Sequence, residues 1–335
     1  MTGITIQAMG WHLPETGMTV ADLPELADMS TRERQTCTTL GIERVPVDDH
    51  ADSRTLAVRA AQRVLADTGM TGIDLDALVL VEPRVPKALL TSEVTAVQAA
   101  LGAGRAMSFS VGGLGCASIT PALLTARGML HADPHLSTVL IAHGSKPPTS
   151  RRYRHPVTVQ GDCGFAVLLS RNGPLHLLDV VLESDGDYSD LFRVDYRDVP
   201  VDQWREECLD IGKYSLRLAV TTRDRLRSVN QRLLQRNGLR QEDIAGYLCQ
   251  NISLAALRFY QESLGVAMES ACADNLRHRG HLGPADALLN LQTTLDRNRW
   301  HAGDRVVLLN VSPVAAWSAV LIEITTAGAD EDILL

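Results

Sequence analysis

Short runs of apolar, β-branched residues alternate with amphipathic stretches along this chain, and that alternation restricts its fold more than any other feature. The runs predict buried strands at residues 77–81, 138–142, 164–169, 246–251 and 305–310. The stretches between them have helical spacing, at residues 55–67, 92–101, 119–131, 214–237 and 285–297. Strands that alternate with helices in this way predict a layered α/β fold.

The strand–helix order of the first half partly recurs in the second half. This recurrence predicts an internally duplicated fold, with similar halves at residues 1–173 and 174–335. A chain of 335 residues, 45% of them hydrophobic, can bury the core of one large domain or of two such halves. Residues 184–212 are rich in Asp, Gly, Tyr and Pro and predict a loop or cap over the start of the second half.

Composition argues against several classes of protein. No run of roughly 18 apolar residues and no secretion-type N-terminus is present, so we expect a cytoplasmic protein with no membrane span. The six cysteines lack CxxC spacing and predict reduced thiols. A formal net charge of −8 argues against nucleic acid as a partner. With no metal-ligand cluster and no phosphate-binding glycine loop, the sequence predicts neither a metal nor a cofactor.

The most informative segment is residues 109–118, where a strand-like run ends in glycines and a helix follows Cys116. A cysteine at a helix N-terminus is favoured as a thiolate by the helix dipole. Gly115 and Ala117 leave the sulfur accessible, and the turn frees backbone N–H groups that can stabilise an oxyanion. The alternative is a buried structural cysteine on a tight turn.

The chain resembles the ketoacyl-synthase III-like branch of the thiolase superfamily over essentially its whole length. Four segments resemble that family's motifs in the family's order: residues 41–44 (GIER), 112–118 (GGLGCAS), 161–166 (GDCGFA), and 303–304 with 312–317. Cys163 stands where the family has a small residue. The resemblance implies a thiolase fold with two similar halves in an αβαβα arrangement, and it implies that Cys116 is the nucleophile that carries the acyl group.

Two positions depart from the condensing members of that family, which pair the cysteine with a histidine and an asparagine. Gln250 stands where the histidine is expected, and His281 stands where the asparagine is expected. Asp286 follows His281 by five residues and, at a helix start, can fix the imidazole tautomer. A Cys–His–Asp arrangement suits acyl transfer to an alcohol or amine, with His281 as the base.

Each of these residues also has a purely structural interpretation. His281 could be a core histidine satisfied by a carbonyl, and Asp286 could be only a helix N-cap. Gln250 either orients a substrate by hydrogen bonding or fills the space of the former histidine.

The resemblance also implies an oxyanion hole formed by the backbone N–H groups of Cys116 and Ser312; Pro313 has no N–H to offer. Leu90 is the residue expected to cross a homodimer interface into the acyl pocket, or else it is a surface leucine. Arg217 is expected near the mouth of a substrate tunnel, or else on a solvated helix face.

With His281 and Asp286 in a GH…D motif, the chain resembles the ketoacyl-synthase III-like acyltransferases of natural-product pathways, and this resemblance implies an acyltransferase of natural-product (antibiotic) metabolism. Its donor would be a thioester on coenzyme A or on an acyl carrier protein, and its acceptor a small alcohol or amine. Two alternatives stay open at this point: a Claisen-condensing enzyme that forms a carbon–carbon bond, and a degenerate subunit that shapes an active partner.

Overall fold

The computed structural model describes residues 3–86 and 88–325. Within this part of the chain the helices are α1 (Thr31–Thr38), α2 (Ser53–Asp67), α3 (Glu93–Ala100), α4 (Ile119–Ala132), α5 (Ala219–Arg236), α6 (Leu254–Leu264), α7 (Ser270–Arg279) and α8 (Asp286–Asp296). The strands of the first half are β1 (Thr5–His12), β2 (Gly17–Thr19), β3 (Arg44–Pro46), β4 (Ala77–Val81), β5 (Met107–Val111), β6 (Val139–Ser145), β7 (Tyr153–Arg154), β8 (Thr158–Val159) and β9 (Cys163–Ser170). Those of the second half are β10 (Leu175–Ser184), β11 (Phe192–Arg193), β12 (Glu207–Cys208), β13 (Gly246–Leu248), β14 (Arg305–Ser312) and β15 (Ala316–Ile324).

The largest sheet has nine strands in the order β5-β4-β6-β9-β1-β10-β15-β14-β13 among the described residues. One pairing pattern occurs twice. A parallel pair (β4 with β6, β13 with β14) is followed by two antiparallel pairs (β6-β9-β1, β14-β15-β10). The two sets join through a short β1–β10 contact, Thr5 opposite His176 and Ile6 opposite Leu175. The proposed boundary at residue 173 falls in the turn before β10, and the division into two domains stays a prediction.

Helices lie on both faces of these strands and between the two sets. Helix α2 packs on β1, β6 and β9, and α5 packs on β10 and β15. Helix α4 contacts β4 and β6 of one set and β10 of the other, so it forms a middle layer. Trp317 and Phe165 are among the largest fully buried side chains of the core. The predicted layered α/β architecture is confirmed.

The predicted strands and helices are all present, although most of them begin or end at other residues than predicted. The strand expected at 246–251 stops at Leu248, and the helix expected at 214–237 begins with a wider π-helical turn, Lys213–Leu218. Residues 184–212 contain only short elements, including the β11–β12 hairpin, in keeping with the predicted loop or cap. None of the described helices is both long and apolar enough to cross a membrane.

Candidate active site

The turn that carries Cys116 is built from glycines in left-handed conformations. Gly113 has φ 86° and Gly115 has φ 53°, values that L side chains rarely adopt. A Cβ on Gly115 would lie 3.0 Å from the Ser312 hydroxyl, so glycine lets the end of β14 approach the turn. One 3₁₀ turn, Gly115–Ser118, then leads into α4 and holds Cys116 in a buried position.

The backbone around His281 fixes where its side chain points. Its N–H donates to the Val159 carbonyl at 2.9 Å, and its own carbonyl accepts from the Gly161 N–H at 3.0 Å. Held in this way, His281 Nε2 lies 2.9 Å from the Cys116 sulfur. The structure therefore places the two residues in hydrogen-bond contact across 165 positions of sequence.

Asp286 is the first residue of α8 and is fully buried. Its carboxylate accepts three hydrogen bonds: from His281 Nδ1 at 2.5 Å, from the Leu282 N–H at 2.7 Å and from the Asn251 N–H at 2.9 Å. An acceptor at Nδ1 keeps the proton there, so Nε2 is the nitrogen available to exchange a proton with Cys116. This is the geometry of a Cys–His–Asp triad.

Cys116 and His281 shift each other's pKa. Burial alone would raise the pKa of Cys116, but the charge and hydrogen bond of His281 outweigh it and, with Arg84 and Arg154, lower that pKa to about 6. Burial would lower the pKa of His281, but the negative charges of Cys116 and Asp286 raise it. Both shifts favour a thiolate–imidazolium pair near neutral pH.

Gln250 is buried, and only one end of its side-chain amide makes a hydrogen bond to a described residue. Its Oε1 accepts a hydrogen bond from the Val311 N–H at 2.7 Å, while its Nε2 is buried without a hydrogen-bond partner among the described residues. The side chain is thus anchored and presents an unused N–H donor. The Ser312 hydroxyl lies near the turn that carries Cys116, 3.0 Å from where a Cβ on Gly115 would be, and the oxyanion role of the Cys116 and Ser312 N–H groups stays a prediction.

The other two predicted site residues lie at the surface. Leu90 is fully exposed with φ 63°, and its neighbour Leu89 lines a cavity that reaches Gly115. Arg217 is exposed within the π-helical turn; Leu218 beside it lines a separate cavity of about 360 Å³. Their predicted roles at a dimer interface and at a tunnel mouth stay predictions.

Three charged residues near the sulfur were not predicted as site residues. Arg84 Nη2 lies 4.0 Å from the Cys116 sulfur, and its Nη1 donates to Glu206 Oε2 at 2.9 Å. Arg154 Nη2 contacts the other oxygen of Glu206 at 2.5 Å. Arg84 follows the carboxyl end of the parallel strand β4, a position where functional residues collect in α/β folds. This position was the one sequence feature that could have marked Arg84 as a site residue.

His143 also lines the cavity around Cys116. Its Nδ1 donates to the Val81 carbonyl at 2.8 Å, and burial lowers its pKa to about 4. His143 is therefore a neutral imidazole beside the nucleophile. It did not stand out in the sequence, because it lies within the apolar run that forms β6.

Comparison with known proteins points to one group of enzymes. Residues 234–324 match the family model for the C-terminal part of 3-oxoacyl-(acyl-carrier-protein) synthase III. A β-ketoacyl-(acyl-carrier-protein) synthase III of Rhodobacter capsulatus is 27% identical over 325 residues, which cover 95% of this chain and 98% of that protein.

Solved structures show the same fold. The acyltransferase ChlB3 superposes with a TM-score of 0.81 at 21% identity, covering 97% of this chain and 98% of that one. The 3-oxoacyl-(acyl-carrier-protein) synthase III of Aquifex aeolicus gives 0.79 at 19% identity, covering 96% and 100%. The predicted thiolase fold is thereby confirmed.

Proposed function

We propose that this chain, which belongs to the ketoacyl-(acyl-carrier-protein) synthase III family, is an acyltransferase that forms an ester or an amide. It would take an acyl group from a thioester onto Cys116 and pass it to an alcohol or amine. The observation that carries the proposal is the unbroken contact from Cys116 through His281 to Asp286.

In the loading step the Cys116 thiolate attacks the carbonyl carbon of the donor thioester. The tetrahedral oxyanion would be held by the backbone N–H groups of Cys116 and Ser312. As it collapses, the bond from carbon to the donor sulfur breaks and the departing thiolate takes the Nε2 proton of His281. The products are an acyl-Cys116 thioester, a free donor thiol and a neutral imidazole.

In the transfer step the neutral His281 acts as general base. Its Nε2 accepts the proton of the acceptor's hydroxyl or amine as that group attacks the acyl-Cys116 carbonyl. The carbon–sulfur bond then breaks, Cys116 leaves as a thiolate, and the thiolate–imidazolium pair is restored. Asp286 holds the imidazole in the required tautomer throughout, and the Gln250 Nε2–H is a free donor for orienting a carbonyl or the acceptor.

The alternative is a Claisen condensation, which the names of the sequence relatives favour. The resemblance implies that condensing members hold an enolate with a histidine and an asparagine, and this chain has Gln250 and His281 at those positions. Product analysis separates the two reactions, because one yields an ester or amide and the other a new carbon–carbon bond.

The donor is proposed to be a thioester of coenzyme A or of an acyl carrier protein. A homodimer and a role in natural-product metabolism stay predictions from the resemblance, and a cytoplasmic location stays a prediction from composition.

The test is intact-protein mass spectrometry after incubation with a panel of acyl thioesters. The wild-type chain should gain the acyl mass and Cys116→Ala should gain none. Cys163→Ala, which removes another buried thiol, is the matched control and should load like wild type. His281→Ala should load slowly at neutral pH, load faster in alkali as the thiol ionises, and fail to pass the group on.

Two results would contradict the proposal. One is the absence of loading with every thioester, which would favour the degenerate-subunit alternative. The other is a loaded enzyme whose only product with any acceptor contains a new carbon–carbon bond.

A further inference from the structure

The charged cluster of Arg84, Arg154 and Glu206 carries more positive than negative charge. Two guanidinium groups share the two oxygens of one carboxylate, Arg84 at 2.9 Å and Arg154 at 2.5 Å. Glu206 is 12% exposed and Arg154 is 4% exposed, so water screens these charges poorly. The cluster therefore holds one uncompensated positive charge close to the nucleophile.

In the free enzyme the Cys116 sulfur supplies part of the missing negative charge. Arg84 Nη2 lies 4.0 Å from that sulfur and also contributes to its lowered pKa. Formation of an acyl-thioester removes the negative charge from the sulfur. The same step returns His281 to its neutral form, so what the cluster loses is the negative charge next to Arg84, and an anion on the acyl group would take its place.

Arg154 also has a hydrogen-bond donor that no described residue accepts from. Its Nε is buried and has no hydrogen-bond partner within the described residues. A buried, unpartnered donor on a charged group is costly, and a ligand that accepts its hydrogen bond would remove that cost. Arg154 is the last residue of β7, whereas Glu206 comes from the cap segment at residues 184–212, so the fold brings the charges together from distant parts of the chain.

The cluster lies where two cavities meet. The cavity around Cys116 and a larger one of about 800 Å³ share Arg84 and Gly115 as lining residues, and the larger one also contains Arg154 and Glu206. Its remaining wall is largely apolar and aromatic, with Leu89, Phe192, Tyr196 and Trp204. A cavity of this size and lining, with a few polar groups at one end, suits a small-molecule acyl chain.

We propose that the acyl group carried by Cys116 is itself anionic, with a carboxylate that binds Arg84 and Arg154, as in the monothioester of a dicarboxylic acid. This inference rests on the proposed acyl transfer and names its substrate class. Arginine is suited to the task because its planar guanidinium pairs with a carboxylate through two parallel hydrogen bonds.

The first experiment measures the rate of Cys116 loading by intact mass with matched thioesters. Succinyl-CoA and butyryl-CoA have the same chain length and differ in a terminal carboxylate against a methyl group. Loading precedes acceptor binding, so it reports on the acyl group alone. The wild-type enzyme should favour succinyl-CoA by roughly 10- to 100-fold, the effect of a charge-assisted hydrogen bond.

Arg84→Gln should lose most of that preference while still loading butyryl-CoA. Arg151→Gln is the matched control, because the Arg151 side chain is 27% exposed against 28% for Arg84 and pairs with Asp28. It lines neither of the two cavities. This control should keep the wild-type preference.

The second experiment does not depend on acyl transfer. Iodoacetate and iodoacetamide alkylate the same sulfur, one as an anion and one as a neutral molecule. Their rate ratio cancels the fraction of thiolate. Arg84→Gln should lower the ratio of iodoacetate to iodoacetamide by roughly tenfold, and Arg151→Gln should leave it unchanged.

Three results would overturn the anionic acyl group: equal wild-type loading of succinyl and butyryl, an equal loss of both in Arg84→Gln, or an alkylation ratio that Arg84→Gln does not change. The second of these would mean that Arg84 only stabilises the thiolate. If no thioester loads at all, the acyl-transfer proposal fails, and the alkylation ratio still decides whether an anion site exists beside Cys116.

Discussion

Two sets of charged side chains approach the Cys116 sulfur, and they differ in how fully their hydrogen bonds are satisfied. In the first set, Asp286 accepts three hydrogen bonds and His281 uses both ring nitrogens. In the second set, Arg84 and Arg154 share the single carboxylate of Glu206, and Arg154 Nε has no partner among the described residues.

The difference in hydrogen bonding suggests that the first set positions the reacting groups and that the second binds a ligand. A buried polar network in which every hydrogen bond is made holds its side chains rigidly. Such rigidity suits a general base, which must accept a proton in one fixed geometry. A buried cluster with surplus charge and an unused donor is stabilised by an incoming anion. We therefore propose that the first set performs the chemistry and that the second recognises the substrate.

The largest effect on acyl transfer is expected from a substitution of Asp286 in the first set, whose hydrogen bonds are all made. Asp286→Asn replaces an acceptor at His281 Nδ1 by an amide that can donate, which favours the wrong imidazole tautomer. Transfer from acyl-Cys116 should fall by about 10²- to 10⁴-fold, as measured by single-turnover release of a loaded acyl group.

A suitable control is Asp162→Asn, which alters a fully buried carboxylate that pairs with Arg152 and Lys146. It should lower the free energy of unfolding without a comparable loss of transfer. Equal losses of activity in the two variants would mean that Asp286 acts only through stability.

The first set is also the part of the proposed site that the sequence predicted. Cys116 stands in a glycine-rich turn, and His281 and Asp286 lie five residues apart before a helix, so their signals are local. The second set has no such signal, because Arg84 and Glu206 are 122 residues apart and meet only through the folded cap. Strand β10 was not placed for a related reason: its two neighbours in the sheet, β1 and β15, come from distant segments.

A smaller effect is expected at Gln250, whose amide is satisfied at one end and free at the other. Gln250→Met keeps the approximate volume, removes the acceptor of the Val311 N–H and removes the free donor. The free energy of unfolding should fall by about 1–3 kcal/mol, since a buried N–H loses its partner. Transfer should fall by roughly tenfold as an orienting donor is lost.

Gln250→Glu, measured at a pH where the carboxyl is ionised, sharpens this prediction, because an ionised glutamate keeps an acceptor for Val311 and has no hydrogen to donate. Recovery of stability in denaturant titrations without recovery of transfer would assign the donor to substrate. Recovery of both would reduce Gln250 to a packing residue.

Gly115 tests how tightly the nucleophile turn is held against β14. Gly115→Ala forces a side chain into a left-handed conformation and places its Cβ 3.0 Å from the Ser312 hydroxyl. We expect a loss of about 1–2 kcal/mol from the backbone alone, with a further cost from the contact. Gly69→Ala is the control, because Gly69 has φ 65° and a Cβ added there would meet no atom within 4 Å. Equal loss of unfolding free energy in the two variants would mean that Ser312 yields without cost.

The smallest expected effect is a shift in the pKa of Cys116 when a charge of the second set is removed. It is measured as the pH midpoint of Cys116 alkylation by iodoacetamide. In the wild-type enzyme the rate should fall as pH drops through the lowered pKa of Cys116, about 6, because only the thiolate reacts. Arg84→Gln removes a positive charge near the sulfur, so the midpoint should move up by about one pH unit or less. Glu206→Gln removes the carboxylate that neutralises Arg84 and should move the midpoint down. Shifts of opposite sign would establish that Arg84 and Glu206 act on the sulfur through charge, whereas shifts of the same sign would mean that either substitution simply disturbs the packing around Cys116.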